Sequence, residues 1–167
     1  MALRDELERQ LRSLHASQAV MPTSVHASDP TGITIRLDLS QIDSMSCAFT
    51  ELVLFVPHLQ NAAFDKLKDW ADGLSQRVGY LLEKIGPLEY DPTNGQVLIR
   101  STPPQALPSG AQYYEIMLSS SGNGTFSLRR FKSIAGQPGR VPVEIQVTHE
   151  VLLKLVDDLL DTLPGNP

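Results

Sequence analysis

One cysteine and one tryptophan occur among 167 residues. A lone thiol, Cys47, excludes an internal disulfide and any metal site built from several cysteines. The four histidines, His15, His26, His58 and His149, are scattered. None stands three or four positions from another histidine or from the cysteine, and a metal needs several ligands held together. His149-Glu150 is followed by Val-Leu-Leu, so His149 reads as an exposed first-turn residue of a helix. There is no Gly-x-Ser-x-Gly elbow for a serine nucleophile. Ser121-Gly122-Asn123-Gly124 lacks the Gly-Lys-Ser/Thr ending of a phosphate loop and reads as a hairpin tip. No apolar run approaches the roughly 20 residues that span a bilayer. The first residues are charged from Arg4 onward and carry no apolar signal-peptide core. These absences set the expectation of a cytoplasmic, non-enzymatic chain with no catalytic residue, cofactor, metal or membrane contact.

The net charge is −5, and it is unevenly spread. Residues 92–143 hold five bases (Arg100, Arg129, Arg130, Lys132, Arg140) and one acid, Glu115, which leaves −9 for the remainder. Such asymmetry implies either an anionic partner or an internal match between a basic sheet and acidic helices.

Hydrophobic periodicity assigns the elements. Leu3, Leu7, Leu11 and Leu14 recur at helical spacing over residues 2–16, with charged residues between them, which predicts a narrow-striped amphipathic helix. This stripe is the candidate partner-binding surface; the plainer alternative packs it on its own domain. Residues 17–32, punctuated by Pro22, Asp29-Pro30 and Gly32, read as a loop or linker. The expected organisation is therefore a helix and linker over 1–31 and one α+β domain over 32–167. Strict alternation over 33–40 predicts a half-buried strand with Ile33, Ile35, Leu37 and Leu39 inward. Residues 45–56 pair with it as a hairpin, their end apolar on both faces. Over 59–85, Phe64, Leu67, Ala71, Leu74, Val78, Leu81 and Ile85 form one helical stripe, with Pro57 before it and Gly86-Pro87 as its stop. Asn94-Gly95 turns a hairpin between 88–90 and 96–101. Residues 102–110, with three prolines, read as a surface loop. A further hairpin joins 112–119 to 125–134, where the switch from Phe126 and Leu128 to Phe131 predicts a bulge near Arg129-Arg130. Residues 140–147 read as a short edge strand because of Pro142. Thr148 is placed to cap a last helix that turns Asp157, Asp158 and Asp161 to water. The sum is an α+β fold. It has an antiparallel sheet of about six strands, the long central helix and the C-terminal helix on one face, and the amphipathic N-terminal helix besides.

One constellation carries chemistry. Tyr113 and Tyr114 lie on one strand, and Phe126, Arg129, Arg130, Phe131 and Lys132 on its partner. With Arg140, the bases Arg129, Arg130 and Lys132 form a candidate anion-binding set. Bases beside aromatics suit single-stranded nucleic acid. Cys47 reads as a buried structural thiol; Arg36 on the facing strand could supply the charge a nucleophile needs, but spacing implies no base for it. The leading functional expectation is a protein-binding, adaptor or chaperone-like module with a protein partner or a second copy. The alternatives are nucleic-acid binding through the 113–132 hairpin, and a small-molecule or catalytic site assembled from residues distant in sequence.

The order of a first helix, strands, a long helix, strands and a last helix resembles type III secretion chaperones, as does the turn Asp91-Pro92-Thr93-Asn94-Gly95-Gln96-Val97. The resemblance implies a small, acidic, dimeric cytoplasmic protein that holds an extended segment of another protein. The additional hairpin over 112–134 departs from that pattern.

Overall fold

In the computed structural model, which describes residues 2–79, 85–101, 105–108, 110–122 and 124–164, alternating segments build one antiparallel sheet. The helices are α1 (Leu3–Ala16), α2 (Phe64–Arg77) and α3 (His149–Asp161). The strands are β1 (Thr23–Ser28), β2 (Thr34–Ile42), β3 (Ser46–Phe55), β4 (Ile85–Asp91), β5 (Gln96–Ser101), β6 (Gln105–Leu107), β7 (Gly110–Ser119), β8 (Thr125–Ile134), β9 (Val141–Val143) and β10 (Ile145–Thr148). The α+β class is as expected, but the sheet has ten strands among the described residues instead of about six. Its spine runs β1-β2-β3-β8-β7-β5-β4.

Residues 17–32 are not a plain linker. β1 pairs with β2 from Thr23↔Leu39 to Ser28↔Thr34, and Val25 and Ala27 enter the core. The two inward residues are small, which is why the segment shows no strong apolar period. α1 packs on β1, β2 and α3, with Leu3, Leu7 and Leu11 buried. The expected long helix is shorter. Pro57–Leu59 is a single 3₁₀ turn, α2 ends at Arg77, and Val78 is buried beyond it. Leu81 lies outside the described residues, and Ile85 opens β4 with Gly86-Pro87 inside the strand, where Pro87 and Glu89 flank a register shift. An edge strand tolerates such a proline because one side of it needs no hydrogen bond. Part of the expected 102–110 loop is β6, paired with β7; residues 102–104 and 109 lie outside the described residues.

The β7–β8 register runs from Gly110↔Ile134 to Ser119↔Thr125 without a shift, so no bulge sits at Arg129-Arg130. The irregularity is on β2 against β3, around Leu39. Phe131 simply faces the other side of the sheet. Residues 140–147 also differ from a single edge strand. β3 pairs with β8 only over 52–55 and 125–128; beyond that, β9 pairs with β8 and β10 pairs with β3. The chain thus reverses at Glu144 and fills the fork between the two strands, where Ser40 Oγ donates to the Glu144 carboxylate at 2.6 Å. Thr148 caps α3 as expected, accepting from Val151 N at 3.1 Å.

The core lies between the sheet and the three helices, with Phe49, Leu52, Leu54, Trp70, Phe126, Leu128, Leu152 and Val156 among its members. Asp158 is a correction: it is buried at 4% exposure instead of facing water. Arg77 on α2 and Lys154 one turn earlier meet its carboxylate at 3.2 and 3.0 Å. Those cations offset the cost of burying a charge.

Candidate functional site

Because the helices cover one face, every strand of the spine has outward residues left over. Register aligns them into rows. In one row, Arg100 on β5 stands opposite Glu115 on β7, which stands opposite Arg129 on β8. Arg129 Nε then lies 3.6 Å from Glu51 on β3, and Glu51 stands opposite Asp38 on β2. Ser24 on β1 closes the row, its Oγ donating to Asp38 at 2.8 Å. The opposite charges Arg100–Glu115 and Glu115–Arg129, directly across strands, stabilise the pairing by about 0.2–1 kcal/mol each. Glu51 and Asp38 are alike in charge, and Arg36 lies 2.6 Å from the first and 3.5 Å from the second. The adjacent row is more apolar: Leu98, Met117, Ser127, Val53, Arg36 and His26 stand opposite one another in turn. Arg36 Nη2 donates to Glu51 at 2.6 Å.

On the other flank of the charged row, Tyr113 pairs with Phe131, and Phe131 with Pro142. Phe131 is only 4% exposed, yet it and Val53 stand outside the core cluster. Arginines supply the cover. The Arg140 guanidinium lies 3.7 Å from the Phe131 ring centre, Arg129 5.1 Å from it, and Arg100 5.4 Å from the Tyr113 ring. Arg140 donates through both terminal nitrogens to the two Glu115 oxygens, and through Nη1 to the Tyr113 hydroxyl at 3.3 Å. Arg100 Nε donates to Glu115 at 3.3 Å. The hydrogen bonds to Glu115 raise the Arg140 pKa further above its ordinary value. Glu115 is thus sunk at 6% exposure beneath two guanidiniums.

The expected site residues are distributed as follows. Leu3, Leu7 and Leu11 are committed to the chain's own core, and Leu14 is partly buried against it. They do not form an exposed docking stripe, because β1, β2 and α3 already cover them. Arg129 and Arg140 meet on the helix-free face. Arg130 and Lys132 do not join them, since unshifted alternation sends them to the opposite side, where Arg130 lies 4.8 Å from the Tyr114 ring. Phe126 is a core residue, its ring 6.0 Å from that of Trp70. Arg36 pairs with Val53 in register and is held by Glu51, far along the strand from Cys47, which pairs with Ile42. His149 is half-buried instead of exposed; its N–H donates to Met45 O at 2.8 Å and its Nε2 lies 3.1 Å from Ser46 O. Glu115 and Arg100 were not singled out from the sequence. Glu115 had left a signal, as the one acid in a stretch of five bases.

Cys47 is buried, and burial is the main cause that pushes its thiol up to about 12 from the ordinary 9.0. At pH 8 the thiolate fraction of such a group is of order one in ten thousand. The native protein is expected to resist a thiol-disulfide reagent that titrates one thiol in denaturant. The folded state holds this proton more tightly than the unfolded state does. The stability it contributes is therefore complete below pH 9 and lost as pH rises toward about 12. Rapid labelling of the native protein at pH 8 would contradict the burial.

Among the described residues no group of three or more His, Cys, Asp and Glu is placed to hold a metal, and no helix is long and apolar enough to cross a membrane. A cleft of ≈ 470 Å³ opens between α1, the β2–β3 turn and the start of α3, lined by Leu11, His15, Asp43, His149 and Leu153 among others. The fold and site define a two-layer α+β protein with three helices on one face of an antiparallel sheet and a charged, arginine-covered aromatic surface on the other. Compared with family models, curated proteins and solved structures, the chain matches none of them.

Proposed function

We propose that this chain is a non-enzymatic protein-binding module, adaptor or chaperone-like in its action, that presents the helix-free face of its sheet to a partner. The observation that carries this reading is the burial of Val53 and Phe131 outside the core. Beside them stand the half-buried Leu98, Met117 and Tyr113, within a frame of arginines. Aromatic and arginine side chains on a shielded apolar centre are the usual composition of a protein contact surface. Cytoplasmic residence belongs to the same proposal.

Nucleic acid fits this geometry less well. Base stacking needs a free aromatic face, and here guanidiniums already lie over the rings of Phe131, Tyr113 and Tyr114. Cys47 is no candidate nucleophile, because it is buried.

The test is to pan a library of random 12-residue peptides on the full chain. Met117→Lys combined with Ser127→Glu serves as the counter-bait. These two residues stand opposite each other, so the substitutions add a cross-strand ion pair and spare the core. Enrichment of peptides that bind the wild-type face and not the altered one is the expected result. A pool that binds both baits equally would sink the proposal.

A further inference from the structure

The five bases of residues 92–143 are gathered on the β7–β8 hairpin from its middle, where Arg100 and Arg129 flank Glu115, toward the end away from its 120–124 tip. Arg100, Arg129 and Arg140 lie on the helix-free face, and Arg130 and Lys132 lie on the other side of the same stretch of β8. The one acid among them, Glu115, is sunk. The three outer arginine side chains above and beside it remain 39%, 44% and 34% exposed. A partner approaching this end meets guanidinium edges before it meets a carboxylate. Of the other acids on this face, Glu51 lies 3.6 Å from Arg129, so two carboxylates stand among the three arginines; Asp38 and Glu144 lie farther toward β2 and β3, and Glu89 on the far edge strand opposite Leu98. The face is therefore polarised.

Resting on the protein-binding reading, we propose that the partner is an acidic protein segment, and that its Asp and Glu carboxylates dock on Arg100, Arg129 and Arg140 at this end of the sheet. Glu115 already displays the chemistry. It is a carboxylate bridging two guanidiniums, the fork geometry in which arginine binds an acid most strongly. Its internal charge holds Arg100 and Arg140 in place before a partner arrives, so less side-chain freedom is lost on binding. A nucleic acid would reach these guanidiniums through its phosphates alone, because the covered rings of Phe131 and Tyr113 offer its bases little to stack on.

The experiment uses the peptides recovered by panning. The pool is scored for Asp and Glu, and the most enriched peptide is synthesised twice, once as found and once with Asn and Gln in place of its acids. Both are titrated by fluorescence anisotropy against the full chain and against Arg100→Gln/Arg129→Gln, which leaves the Arg140–Glu115 pair in place. The acidic peptide is expected to bind about tenfold more tightly than its amide counterpart, and about tenfold more tightly to wild type than to the variant, as charge-assisted hydrogen bonds would give. Its affinity is expected to fall with added salt. Face-dependent peptides without acids, or an amide peptide that binds equally, would overturn the acidic partner and leave the protein-binding reading standing. A pool indifferent to the face would overturn both. Two further results would name another occupant and overturn the proposal: a thymidine oligonucleotide that binds through the same arginines, and concentration-dependent self-association that the variant abolishes.

Discussion

Trp70→Ala lowers the unfolding free energy by about 3–5 kcal/mol, the range for removing a large aromatic from a close-packed interior. Trp70 is fully buried on α2, and its position explains why the loss falls in that range. The ring lies 6.0 Å from Phe126, which comes from β8, so it couples the helix layer to the centre of the sheet. Its Nε1 donates to Thr162 Oγ1 at 3.2 Å, which ties α2 to the end of α3. Alanine abolishes the ring contact and leaves a cavity that elements on three sides cannot collapse into. Trp70→Phe keeps most of the volume and loses the hydrogen bond, so it is expected to cost about 1–2 kcal/mol. Since this is the sole tryptophan, unfolding is best followed by far-ultraviolet circular dichroism in urea, with the midpoint falling and the slope unchanged. A loss under about 1 kcal/mol for the alanine variant would mean that the indole does not bridge the layers as described.

Arg140→Ala is expected to cost about 2–3 kcal/mol, because it strips Glu115 of its bidentate partner while leaving the carboxylate buried. Arg100 remains 3.3 Å away, which keeps the loss below that of a wholly orphaned charge. Part of the cost is apolar, since the guanidinium and its stem also cover Phe131. Glu115→Gln added to Arg140→Ala should recover most of the electrostatic share, because a neutral amide needs no counter-charge. The coupling read from the four proteins of a double-mutant cycle is expected at about 1–2 kcal/mol. If Arg140→Ala moved stability by less than about 0.5 kcal/mol, the pair would be behaving as a solvated surface bridge. The frame around Phe131 would then be looser than its geometry indicates.

The elements that were legible in the sequence are those whose signal is local. Alternation over 33–40 is matched by the buried Ile33, Ile35, Leu37 and Leu39. Asn94-Gly95 does sit between β4 and β5, and Thr148 does cap α3. The elements that were missed each depend on a distant partner. β1 has only two small inward side chains, and it is a strand because β2 offers its edge. Residues 140–147 divide at Glu144 because β3 and β8 diverge there: β9 pairs with β8 residues 9–13 positions earlier and β10 with β3 residues 96–102 positions earlier, the second beyond any short window. Asp158 is buried because Arg77, on another helix, reaches it.

The candidate site divides along the same line. Alternation puts Arg129 with Phe131 and Arg130 with Lys132 on opposite faces, but the sequence suggested a bulge at that point, and only the unshifted β7–β8 register made the alternation hold. Residue order alone determined that residues 92–143 carry a charge of +4 on an acidic chain. Only the tertiary structure decided which acids meet which bases. The Arg100–Glu115–Arg129–Glu51–Asp38 row depends on four registers set by hydrophobic matching on the opposite, core-facing side of the sheet, since slipping any strand by one residue would turn its apolar side chains to water. The outer face inherits its charge pattern from the packing of the inner one.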